Sequence, residues 1–187
     1  MFIQTEATPN PATLKFLPGR PVLAQGTLEF LDPAETKDSP LAARLFEVEG
    51  VTGVFFGSDF ISVTKGDGEW QHLKPAILGA IMEHYVSGAP IAAEGEQGSE
   101  CAEQGEFFAP EDAETVTTIK ELLETRVRPA VAQDGGDITF QGYRDGIVFL
   151  HMRGACSGCP SSTATLRHGI ENLLRHFIPE VQEVRPV

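Results

Sequence analysis

The sequence predicts two small domains of mixed class, an α+β domain and then an α/β domain ordered helix-strand-strand-helix-strand. Three observations carry this expectation. A Gly-, Glu- and Ala-rich stretch with almost no apolar periodicity breaks the 187-residue chain near its middle. Upstream of the break, short strand-like runs dominate. Downstream, two runs with helical apolar spacing flank a pair of adjacent strand-like runs. The expected divisions are a first domain over residues 1–87, an acidic linker over 88–110 and a second domain over 111–187.

In the first domain, Phe2–Glu6 reads as a strand, then a turn at Pro9-Asn10-Pro11, then a strand over Thr13–Leu17 ending at Pro18-Gly19. Thr27–Leu31 is a further strand. Ser39 is placed to cap a short helix through Leu41, Leu45 and Phe46, with Pro40 at its first position. Val51–Phe56 and Phe60–Thr64 form a hairpin around Gly57-Ser58-Asp59, and Phe55, Phe56 and Phe60 are expected to pack. Over Gln71–Val86, the spacing of Leu78, Ile81, Met82 and Tyr85 predicts a helix with that face toward the core.

The linker carries like charges that repel, so it is expected to be a flexible tether whose terminal Phe107 and Phe108 dock on the next domain. Beyond it, Val116, Ile119, Leu122, Leu123 and Val127 mark one helix face, with Glu111, Asp112 and Glu114 at the dipole's positive end. Pro129 is expected to interrupt that helix, with a short continuation that ends at Asp134-Gly135-Gly136-Asp137. The run Asp134-Gly135-Gly136-Asp137 reads as a sharp turn into a strand, its glycines letting another backbone approach closely. Strands over Ile138–Tyr143 and Ile147–Met152 flank the turn Arg144-Asp145-Gly146. Leu166, Ile170, Leu173, Leu174 and Phe177 mark the last helix face, Pro179 stops it, and Val181–Val184 adds a strand.

Composition excludes several classes. Apolar residues make up 41% and charged residues 22%, an ordinary globular mixture. A formal net charge of -13 argues against a main role on nucleic acid or an anionic membrane, both of which favour a basic face. No apolar stretch approaches the ~20 residues of a membrane span. The first residues lack signal-peptide or transit-peptide character, which leads to the expectation of a bacterial cytoplasmic protein. Three cysteines do not make a secreted disulfide framework, and vicinal cysteines in a reducing compartment point to metal or redox chemistry.

The chemistry concentrates in Gly154-Ala155-Cys156-Ser157-Gly158-Cys159-Pro160, which opens the last helix. Two soft sulfur donors on an exposed turn at a helix start are expected to favour the thiolate form. Small neighbours leave room for backbone N–H groups to point at bridging sulfides, and Arg153 either offsets anionic charge or is solvated. Common iron–sulfur clusters want four thiolates, so this half-site asks for a second copy of itself. Cys101 sits in the linker among acidic neighbours and reads as a tolerated thiol.

Gln133–Asp137, the following strand pair and Gly154–Thr163 together closely resemble the C-terminal NifU-like domain of Nfu proteins, over about residues 112–184. The half from Phe2 to about Val86 resembles the Nfu N-terminal domain. The resemblance implies a scaffold or carrier that holds a [4Fe-4S] cluster across a homodimer, with Cys156 and Cys159 at the family's ligand positions. It further implies apo iron–sulfur proteins as recipients and upstream assembly proteins as donors, with no enzymatic turnover. Ligand counting alone does not separate [4Fe-4S] from [2Fe-2S].

Two rivals compete. A thiol–disulfide oxidoreductase would use the Cys156/Cys159 pair, but its usual layout places the motif after a βαβ start. A structural zinc site would need two more ligands, for which His151 and His168 bracket the loop without finger-like spacing. His168 neighbours Arg167, expected to be exposed, and a lone histidine is more often simply accommodated by the fold.

Overall fold

β-branched and aromatic runs separated by turn residues build an antiparallel sheet in the first half of the chain. In the computed structural model, which describes residues 2–92, 105–157 and 160–187, the strands are β1 (Gln4–Ala7), β2 (Thr13–Leu17), β3 (Leu28–Phe30), β4 (Val51–Phe56) and β5 (Ile61–Lys65). Their order is β1-β2-β5-β4-β3. The chain divides into two compact units, Met1–Cys101 and Ala102–Val187. Most of the predicted tether, with Cys101, lies outside the described residues, as do Gly158 and Cys159.

Register decides which side chains share a face. Phe16 and Phe56 both pair with Ile61, and Leu14 and Val54 both pair with Val63. Side chains alternate along strands, so these rows point to one side. There they meet Leu41, Ala42 and Leu45 of α1 (Pro40–Phe46) and Leu73, Ile77 and Ile81 of α2 (Trp70–Ser87). As expected, Ser39 caps α1: its Oγ accepts from Ala42 N–H at 3.3 Å, with Pro40 first in the helix. The same hydroxyl donates to the Ile91 carbonyl at 2.6 Å, tying the chain beyond α2 back to the start of α1. Phe55, Phe56 and Phe60 are all buried.

The predicted face of α2 needs correction. Leu73, Ile77, Ile81 and His84 are buried, whereas Met82 is 43% exposed and Leu78 and Tyr85 flank the core half-buried. Apolar residues run around much of this helix, so their spacing fixes that it is helical but not which way it faces.

The second unit contains α3 (Ala113–Leu122), a wider π turn over Leu123–Val127, α4 (Arg128–Gln133), β6 (Gly136–Arg144), β7 (Ile147–Gly154), α5 (Pro160–Phe177) and β8 (Glu183–Pro186). This is the predicted helix-strand-strand-helix-strand order. β6 and β7 pair antiparallel, and β7 and β8 pair parallel. Pro129 interrupts the regular α-helix, as expected, and the helical path continues as α4 to Gln133. Its ring would crowd the carbonyl four residues back, and the wider turn, in which Arg128 N–H donates to the Leu123 carbonyl, accommodates it. Asp145 (φ 51°) and Gly146 (φ 79°) make the tight β6–β7 turn with positive φ at both centres.

Val116, Ile119, Leu122, Leu123 and Val127 are all buried, as their spacing predicts. On α5, Ile170 and Leu174 are buried and Leu166 and Leu173 half-buried, but Phe177 is exposed beneath the Arg126 guanidinium, 5.4 Å from its ring. Phe107 docks as expected: its N–H donates to the Gln141 carbonyl at 3.3 Å and its carbonyl accepts from Tyr143 N–H at 2.8 Å. This bridge lies at the β6 irregularity between Phe140 and Gly142, and the ring packs 5.0 Å from Phe149. Phe108 is 40% exposed. No described helix is long and apolar enough to cross a membrane.

Candidate metal centre

The cysteine loop hangs between the end of β7 and the start of α5. Gly154 turns the chain with φ 64°, and Ser157 closes the turn: its N–H and its hydroxyl both donate to the Gly154 carbonyl, at 3.1 and 2.9 Å. Thr163 Oγ1, in the first turn of α5, donates back to the Cys156 carbonyl at 3.0 Å. The loop is also tied to the run Asp134–Asp137, because Ala155 N–H donates to the Gly135 carbonyl at 3.2 Å. Gly135 carries φ 80°, and Gly136 opposes Gly154 at the open end of the hairpin. The glycine pair thus turns the chain and admits a second backbone, as the sequence suggests.

Cys156 is not on an exposed turn. It is 5% exposed and belongs to the core cluster of its unit. Burial pushes its thiol up to about 12, and the Asp134 and Asp137 carboxylates push the same way. The expected lowering at a helix start does not prevail, because a sulfur stripped of water loses more solvation than a helix end returns. A cargo that binds sulfur must therefore displace a proton.

Asp137 is 4% exposed and held by a two-pronged ion pair. Arg128 Nε donates to Oδ1 at 2.9 Å and Nη2 donates to Oδ2 at 3.0 Å. That hydrogen bond and the Asp137 charge hold the guanidinium above its usual pKa, against the opposing effect of burial. Arg128 also pairs with Glu124, one turn earlier. Sequence reading missed Arg128 because nothing near it is unusual for a surface helix. Its partner lies nine residues on, across a turn.

The remaining candidates do not converge. His151 is half-buried on β7 and His168 exposed on α5, while Arg167 is half-buried rather than exposed. Among the described residues, no group of three or more His, Cys, Asp or Glu side chains could hold a metal ion. Cys156 fits a soft metal cargo in donor type, and its sulfur lies against Gly136, at the edge of the apolar core of its unit.

Donor type alone limits this loop to soft-metal or thiol chemistry. The comparisons make this specific. The family profile described as "Scaffold protein Nfu/NifU N terminal" matches residues 3–88, and the "NifU-like domain" profile matches residues 119–185. The human protein named NFU1 iron-sulfur cluster scaffold homolog, mitochondrial, is 51% identical over all of this chain and 72% of its own length. NifU-like protein 4, mitochondrial, of Arabidopsis thaliana is 50% identical over 98% of this chain and 65% of its own length. The solved structure of a NifU-like protein from Saccharomyces cerevisiae overlays 50% of this chain and 86% of its own, with TM-score 0.46 and 25% identity. The chain belongs to the Nfu family of iron–sulfur cluster scaffold proteins.

This overturns the bacterial cytoplasmic expectation, since these relatives are named as mitochondrial. That expectation rested on the character of the first residues. The chain spans only about two thirds of the length of relatives such as the Arabidopsis protein, so its first residues carry no such weight.

Proposed function

We propose that this chain carries an iron–sulfur cluster between two copies of itself and passes it to apo-proteins. Cys156 and Cys159 of each copy supply the sulfur donors. The single observation that carries this reading is Cys156 itself, a thiol in a loop tied down by Thr163 and Gly135, with its sulfur against Gly136. The chain holds three cysteines, fewer than the four thiolates that a common cluster wants, and this favours sharing between two copies. The [4Fe-4S] form is preferred on family likeness, with [2Fe-2S] as the other outcome.

The cluster is cargo, and transfer is ligand exchange rather than enzymatic turnover. An incoming target thiol gives up its proton as its sulfur bonds to iron. The departing Cys156 or Cys159 sulfur takes up a proton as its own iron bond breaks. The burial that pushes the Cys156 thiol up disfavours the oxidoreductase reading for that sulfur, since an attacking thiol is normally held low. We assign residues 111–187 to cluster binding, 1–87 to partner recognition and 88–110 to the tether, and the relatives' names favour a mitochondrial setting.

Anaerobic reconstitution with iron and sulfide tests this, with metal content, visible absorption and mass read together. Cluster absorption in a dimer that disappears with Cys156→Ser or Cys159→Ser supports the carrier. A colourless monomer cycling between dithiol and disulfide supports the oxidoreductase, and zinc that iron does not replace supports a structural site.

A further inference from the structure

Gly136 opens β6 directly against the cysteine loop. A Cβ at this position would stand 2.7 Å from Cys156 Sγ, 2.6 Å from the Arg153 carbonyl oxygen and 3.1 Å from Cys156 N. Two of those three atoms are backbone, so no rotation of a side chain clears the space. Conformational freedom is not why glycine stands here: the positive φ belongs to Gly135, and Gly136 is absent from the left-handed region.

The strand cannot retreat to make room either. Asp137, the next residue, is held to Arg128 at the start of α4 by both prongs of its carboxylate. The hairpin register pins Gly136 to Gly154 from the other side. A methyl group at Gly136 therefore has to move the loop.

We infer that Gly136 is a positioning residue for the Cys156 sulfur, and that the Arg128–Asp137 pair is the clamp that makes its position binding. The missing side chain sets how deeply the sulfur sits against β6, and the clamp keeps that depth fixed while cargo comes and goes. This rests on the carrier reading only in naming an iron–sulfur cluster as the cargo. The seat itself is a property of the polypeptide.

Gly142 supplies a matched control. It lies on the same strand, and a Cβ there would also be too close to its neighbour, at 2.6 Å, but the neighbour is the Phe107 ring, a side chain that can swing away. The test uses the full chain. In a Cys101→Ser, Cys159→Ser background at one fixed pH, iodoacetamide reads the accessibility of Cys156. Gly136→Ala is expected to raise the alkylation rate about tenfold, and Gly142→Ala less than about twofold, as the displaced sulfur leaves its buried seat.

With all cysteines present, Co2+ titration reads geometry. Gly136→Ala is expected to lose most of the thiolate-to-cobalt charge-transfer absorption per bound ion, and Gly142→Ala to keep it. Unchanged alkylation and unchanged cobalt spectra in Gly136→Ala overturn the inference, as does an equal response from Gly142→Ala. Should Gly136→Ala fail to fold, Arg128→Lys reads the clamp without adding a clash, since lysine keeps the charge and loses the fork. It is expected to raise alkylation about threefold with circular dichroism unchanged, and no rise sinks the clamp. If Gly136→Ala exposes the thiol while the parent chain takes up no cluster on reconstitution, the seat stands and the carrier reading falls.

Discussion

The two units each bury a titratable side chain, and they do it in opposite ways. In the first unit, His84 on α2 is fully buried; neither ring nitrogen makes a well-formed hydrogen bond among the described residues, and the Ala89 backbone offers only a weak one. Burial holds its pKa below the ordinary 6.5, and the Arg44 charge pushes the same way, so the ring is neutral. In the second unit, Asp137 is kept within reach of a guanidinium that grips both oxygens. A neutral ring tolerates isolation, whereas a buried charge requires a partner. In the second unit that fixed charge acts on the proposed donor, Cys156.

Breaking the ion pair has the largest expected effect. Arg128→Ala takes the two-pronged guanidinium away from the buried Asp137 carboxylate, and destabilises the second unit by about 1.5–3 kcal/mol. Hydrogen exchange of the β6 amides checks this, and protection equal to the parent's would show that the pair is not what holds the strand. Next comes acid. Above pH 6.5 His84 is neutral folded and unfolded. Below it, the unfolded chain takes up a proton that the folded unit refuses. Stability of the first unit therefore falls with falling pH, by at most about 1.4 kcal/mol per pH unit, until the folded pKa is reached. Urea titrations followed through Trp70 at pH 7 and pH 5.5 read it, and His84→Leu is expected to flatten the dependence.

Smaller effects sharpen the contrast between fixed and yielding contacts. Ser39→Ala removes both the α1 cap and the bond to the Ile91 carbonyl, costing the first unit about 1–2 kcal/mol in the same titration. Smallest is Gly142→Ala, expected to cost about 1 kcal/mol or less, because the Phe107 ring gives way. NMR shifts of Phe149, which packs against that ring at a tilt, should move while those of the cysteine loop do not.

Some of this was legible in the residue order. Ser39-Pro40 announces its helix start, Asp145-Gly146 its hairpin and Val116–Val127 its buried face, because each is a local signal with a local cause. The cysteine pair likewise announces soft-metal chemistry. The facing of α2 was not legible, because its buried stripe includes a histidine that no hydrophobic pattern would select. The exposed Phe177 was missed for the converse reason, an aromatic at core spacing that ends against Arg126 instead.

By itself the sequence determined the family, the order of elements and the residue types able to bind sulfur-loving metal, since those follow from short-range pattern and composition. Only the tertiary structure decided that Cys156 is buried, that Gly136 must lack a side chain and that Arg128 belongs to Asp137. Each of these is a distance between elements that no spacing along the chain encodes. Close packing converts such distances into constraints, because a space that is already filled has no cheap way to admit one more carbon.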